Sequence, residues 1–231
     1  MPWDRVYLNR WFGFLRQLSE RYGTSPAFRM IGAAGPTSVS KEMTLPNSPS
    51  ATQKWLKDGY TPAKYVGAWE EAFHVYADTF RNQCVSLAAP QVPILKPGRS
   101  DRPAQMRAQQ DIVDRAMQVF GRRLAIQGNN LHAGPVPIEG PDFTAFIKSY
   151  SGRIITGFEM RGGSQGPVPS KVMGAEGNPP LALRRSIDKG MAANSAGRHV
   201  NYLEIYEGDV LPADMQPVLQ YAVSLFRRSH P

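Results

Sequence analysis

Arg153-Ile154-Ile155-Thr156-Gly157-Phe158-Glu159 follows the turn pair Ser151-Gly152 and ends on a carboxylate. A short run of β-branched and aromatic residues bounded by turn residues reads as a strand. Beyond it, a Gly- and Pro-rich loop from Gly162 to Pro180 leads to a helical stretch over about 181–196. A second run, Val200-Asn201-Tyr202-Leu203-Glu204-Ile205-Tyr206, then reads as another strand. Strand, long loop, helix, short turn, strand is how two parallel strands are joined by a helical crossover.

Working outward, the same unit recurs. Tyr7, Trp11, Phe14, Leu15, Leu18 and Tyr22 repeat at three- and four-residue spacing. This predicts a helix over 4–22, with Asp4 as N-cap and Gly23 as its stop. Ala27 to Gly32 follows as a strand, and 33–62 as a long loop carrying Glu42, Trp55 and Tyr60. Next come a helix with Val66, Trp69, Phe73, Tyr76 and Phe80 on one face, and the strand Cys84 to Ala88. A helix over 103–120, the strand Arg123 to Gln127, the loop Gly128 to Pro135 and a short helix from Asp142 to Ser149 lead back to the starting run. A last helix covers Asp214 to Arg227.

Helix and strand alternate throughout, and the loops after strands are long while the turns back into strands are short. That asymmetry fits a parallel barrel whose site lies at the C-terminal ends of its strands. No strand runs into a G-x-G-x-x-G helix start, which argues against a dinucleotide-binding open sheet. Five strands do not close an eight-stranded barrel, and the chain opens on a helix. The expectation is therefore an α/β fold: a partial (β/α)8 TIM-type barrel of about five parallel strands with helices outside and the first strands missing. It forms one domain over 1–231, and either the chain is an N-terminally truncated product or a partner supplies the rest of the barrel. Its exposed edges predict self-association.

Composition narrows the function. The chain has 231 residues, 42% apolar and 20% charged, which suits one globular domain. It holds no apolar run of about 18 residues, and Met1-Pro2-Trp3-Asp4-Arg5 does not open like a signal peptide, so no membrane association is expected and the compartment stays open. The net charge of +8 raises a polyanion partner as an alternative. The basic residues are scattered in short pairs such as Arg184-Arg185 with no interleaved aromatics, so a solvated surface and no nucleic acid partner are expected. Cys84 is the single cysteine, which excludes an internal disulfide. His74, His132, His199 and His230 are dispersed, and no zinc spacing, P-loop or nucleophile elbow occurs, so no metal or organic cofactor is expected.

The informative residues are carboxylates at strand ends and on the first long loop. Glu159 can act as nucleophile or base at a barrel mouth, or pair with Arg161 or Arg153. Glu42 is the candidate second carboxylate, or a solvated loop residue. Glu204 and Glu207 flank Tyr206. One of them can bind sugar hydroxyl groups or be the nucleophile, or it is a capping or salt-bridged Glu at the strand end. Asn129, Asn130 and His132 suit hydroxyl recognition, though Gly128-Asn129 also reads as turn chemistry. Trp55 and Tyr60 can stack on a sugar ring or anchor the loop.

Several stretches resemble the large clan of (β/α)8 glycoside hydrolases with acid/base after strand four and nucleophile on strand seven. They are Pro2-Trp3-Asp4 before a helix with Trp11 and Arg21-Tyr22-Gly23, Gly35-Pro36, Glu42-Met43-Thr44-Leu45-Pro46, Gly59-Tyr60-Thr61-Pro62, Gly157-Phe158-Glu159 and Tyr202-Leu203-Glu204-Ile205-Tyr206. The resemblance implies that the strands are four to eight, that Glu159 is the nucleophile and that Glu42 is the acid/base. Asn130, His132, Glu204, Tyr206 and Trp55 would then bind a β-linked carbohydrate. The clan carries Asn-Glu at the end of strand four, whereas Glu42 here follows Lys41 and lies well past the strand. A non-catalytic carbohydrate-binding barrel of the same descent is the alternative.

Overall fold

The computed structural model describes residues 1–36, 48–88, 102–134 and 143–229. It is an α/β structure whose five parallel strands lie in chain order in one sheet, flanked by helices. The chain divides into two compact units, Met1–Ala125 and Ile126–Pro231.

In the first unit, helix α1 (Arg5–Tyr22) starts where the Asp4 side chain accepts the Tyr7 amide at 2.8 Å. Strand β1 (Met30–Gly32), helices α2 (Pro49–Lys57) and α3 (Pro62–Thr79), strand β2 (Cys84–Ala88) and helix α4 (Arg102–Phe120) follow. Strand β3 (Leu124–Leu131) leads into the second unit. Strand β1 pairs with β2, Met30 beside Cys84 and Gly32 beside Ser86. The core holds Leu8, Phe12, Leu15, Trp69, Phe73, Tyr76, Phe80, Val85, Leu87, Ile112 and Phe120. The short turns that enter the strands are tied together. The Gln83 amide donates to the Gly23 and Phe28 carbonyls at 2.9 and 3.1 Å, and the Arg123 guanidinium donates to the Phe80 and Gln83 carbonyls.

Two expectations change here. The buried face of α1 is Leu8, Phe12 and Leu15, while Tyr7, Phe14 and Tyr22 are exposed. The helix carries a second, aromatic stripe that stays near the surface because its polar atoms serve the chain after β1. The Tyr7 hydroxyl donates to the Gly35 carbonyl at 2.8 Å, and the Trp11 indole to Ala34 at 3.0 Å. The span 33–62 is not all loop, since it contains α2. The Ser48 side chain caps that helix by accepting the Ala51 amide at 3.2 Å, with Pro49 in the first turn.

The second unit contains α5 (Phe143–Ser149), β4 (Ile155–Met160), α6 (Pro167–Met173), α7 (Pro179–Met191), β5 (Tyr202–Glu204), α8 (Glu207–Val210) and α9 (Gln216–Ser229). The loop expected over 162–180 thus includes α6. Strands β4 and β5 run in register, with Gly157 beside Tyr202, Phe158 beside Leu203 and Glu159 beside Glu204. Side chains alternate between sheet faces. Phe158 and Met160 are buried with Ile147, Leu183 and Ile187 from the helices, which leaves Gly157 and Glu159 on the opposite face. Among the described residues no helix is long and apolar enough to cross a membrane.

Candidate functional site

Three strands of the second unit send polar residues to one face. Strand β3 was expected to end at Gln127 but continues to Leu131, so Gly128-Asn129 lies within a strand and is not a turn. A Cβ on Gly128 would meet Phe158 and Ile147, and Leu131 packs against Gly190 of α7. Both positions therefore face the helices although they are three residues apart, whereas a regular strand turns such positions to opposite faces. The strand accommodates this with one extra residue, a bulge at Asn129 and Asn130. The Arg161 amide donates to the Leu131 carbonyl at 2.9 Å, which sets the bulge opposite Glu159.

Gln127, one residue before Gly128, points to the face of Glu159. Its amide nitrogen donates to Asn129 Oδ1 at 3.0 Å and to Glu204 Oε2 at 3.1 Å, and lies 3.4 Å from Glu159 Oε2. The Tyr202 hydroxyl donates to Gln127 Oε1 at 2.7 Å, which fixes the amide with its nitrogen toward the carboxylates. The Tyr206 hydroxyl donates to Glu159 Oε1 at 2.8 Å. Sharing one nitrogen keeps the two Oε2 atoms within about 6.5 Å of each other, the sum of the two distances. Glu159 is half-buried, and Glu204 is exposed.

Gly157 makes this geometry possible. A Cβ there would lie 2.4 Å from the Tyr202 ring. Gly157→Ala is expected to displace that ring from Gln127 and to cost about 1–3 kcal/mol through overpacking. A urea denaturation midpoint equal to that of the parent would refute this.

Glu159 is paired with neither arginine. Arg153 lies over the Tyr150 ring at 5.3 Å, and Arg161 Nη1 lies 3.4 Å from His132 Nε2. His132 is 4% exposed, and its buried Nδ1 has no hydrogen-bond partner among the described residues. Burial, reinforced by the Arg161 and Lys189 charges, holds the imidazole below its ordinary value against a smaller opposing pull from the Val172 and Gly134 backbone. The folded protein thus refuses a proton that the unfolded chain accepts near pH 6.5. This contribution to stability is full above about pH 6.5 and shrinks as the pH falls through that value. Melting temperatures from pH 7.5 to 5 should fall less steeply for His132→Gln than for the parent. Parallel curves would remove His132 from the account.

Of the other sequence candidates, Asn130 is exposed on the bulge, and Tyr206 and Glu204 meet at Glu159 and Gln127 as described. Trp55 belongs to the first unit and is 5% exposed. Trp3, Tyr60 and Tyr65 pack around it with ring centroids 5.4, 5.5 and 6.1 Å away. This burial supports the anchoring role, because it leaves no open ring face for a sugar. It also pushes the Tyr60 and Tyr65 hydroxyls well above the ordinary tyrosine range. Glu42 lies outside the described residues.

Sequence reasoning missed Gln127, Tyr202 and Asp209. The first two were findable as polar residues two positions before a site residue on the same strand face. Asp209 carries no such signal: it is fully buried in α8 and accepts both the Ser164 amide and the Ser164 hydroxyl. No known family model matches the chain, and no curated protein matches it significantly.

Proposed function

We propose that the chain is part of a (β/α)8 barrel of the glycoside hydrolase type, and that it cleaves a β-linked carbohydrate with Glu159 as nucleophile. The observation that carries this reading is the setting of Glu159: its carboxylate lies one residue before the end of β4, held by the Tyr206 hydroxyl and facing the Gln127 amide, with no ion pair among the described residues. Such donors orient a carboxylate without cancelling its charge.

In this reading a Glu159 oxygen attacks the anomeric carbon, and the glycosidic bond breaks with its electron pair on the leaving oxygen. A proton from the second carboxyl group completes the departing alcohol. Water, giving a proton back to that group, then releases the sugar from Glu159. Glu42 is assigned the second role by resemblance. Glu204, whose Oε2 lies within about 6.5 Å of Glu159 Oε2, is given no such role by the resemblance. Glu204, Asn130 and Tyr206 are instead assigned to sugar hydroxyl groups. Hydrolysis of a panel of aryl β-glycosides tests the proposal, and no turnover on any of them would defeat it.

The Lys41-Glu42 departure from the clan pattern favours the second reading, a non-catalytic carbohydrate-binding barrel. That reading predicts sugar binding without turnover and indifference to Glu42→Gln. Self-association through the terminal strand β1, where Met30 is exposed, accompanies either reading. Sedimentation velocity should show a concentration-dependent species, and a single monomer boundary at all concentrations would exclude it.

A further inference from the structure

Arg161 follows β4 directly and lies two residues beyond Glu159. The chain bends there, while the Arg161 amide still donates to the β3 carbonyl of Leu131 at 2.9 Å. Arg161 therefore sits at the same end of β4 as Glu159. The Arg161 side chain is exposed, and no carboxylate among the described residues pairs with it.

What holds Arg161 is His132, 3.4 Å away. A guanidinium N–H can donate to Nε2 only if that nitrogen carries a lone pair, which leaves the ring proton on Nδ1. His132 is more than nine-tenths buried, and its backbone is held where Lys189 Nζ donates to its carbonyl at 2.9 Å. In that tautomer a neutral acceptor directs the guanidinium without neutralising it, and among the described residues no other side chain is hydrogen-bonded to it. An arginine with a carboxylate partner would have no such charge to offer.

We propose that Arg161, positioned by His132, is a subsite for an anionic group on the sugar, so that the ligand is an acidic carbohydrate bearing a carboxylate or a sulfate. This rests on the carbohydrate reading above.

Calorimetry of the full chain with D-glucuronate, D-glucose 6-sulfate, D-glucose and inorganic sulfate tests it, with Arg161→Gln and Arg161→Lys as variants. At least one acidic sugar is expected to bind about tenfold or more tightly than glucose. Arg161→Gln should erase that preference while leaving glucose affinity unchanged, and Arg161→Lys should retain part of it. The proposal is overturned if glucose binds as well as both acidic sugars, or if the preference survives in Arg161→Gln. If no sugar binds, the carbohydrate reading fails, and with it the acidic-sugar assignment. Sulfate binding lost in Arg161→Gln would then support the anion subsite alone, and absence of sulfate binding would overturn that as well.

Discussion

Glu159→Gln is expected to lower the turnover of any aryl β-glycoside the protein accepts by about a thousandfold or more, the scale on which removal of a reacting group acts. The amide matches the carboxylate in shape and keeps an oxygen for the Tyr206 hydroxyl, so stability should change little. The lost property is the negative charge and electron pair that form the bond to the anomeric carbon. Sugar affinity measured by calorimetry should survive, which separates loss of chemistry from loss of the site. Unchanged turnover in this variant would remove Glu159 from the reaction.

Asp209→Ala is expected to produce the largest loss of stability, about 3 kcal/mol. The carboxylate is fully buried, and the Ser164 amide lies 3.0 and 2.9 Å from its two oxygens, with the Ser164 hydroxyl at 2.8 Å. Alanine leaves that amide and hydroxyl buried without partners, and an unsatisfied buried donor costs more than the hydrogen bond contributed. The contact also ties the segment after β4 to α8, so Arg161, three residues before Ser164, should lose its fixed position. Asp209→Asn keeps acceptor capacity and should cost less. Urea denaturation measures both variants, and an Asp209→Ala midpoint within experimental error of the parent would refute the assignment.

Local pattern made much of the fold legible. The Cys84 to Ala88 strand has the bounds read from its composition, and Asp4 caps α1 as its place before the apolar repeat suggested. The errors have physical causes. Helix α1 has two apolar stripes, and period alone cannot say which one a neighbouring helix will cover. Helix α2 was announced by Ser48-Pro49, but its single buried residue, Trp55, is too weak a stripe to show in a Gly- and Ser-rich stretch. Strand β3 was cut short because Gly128-Asn129 resembles a turn. Packing of Gly128 beneath Phe158 keeps the chain extended there, and the extra residue is taken up as a bulge.

The candidate site was legible as a set of residues but not as a contact. Sequence alone determined the alternating α/β order and the strand that carries Glu159 near its end, though that strand runs from Ile155 to Met160 and not from Arg153 to Glu159. Strand propensity, caps and hydrophobic period are local, and each is written in a few neighbouring residues. Only the tertiary structure decided that Glu159 lies beside Glu204, that Gln127 reaches both and that Arg161 turns to a histidine. Parallel strands are joined by long crossovers, so their register is set by how the pieces pack. Here that includes the Tyr202 ring lying over the bare Cα of Gly157, a fit that no single stretch of the chain contains.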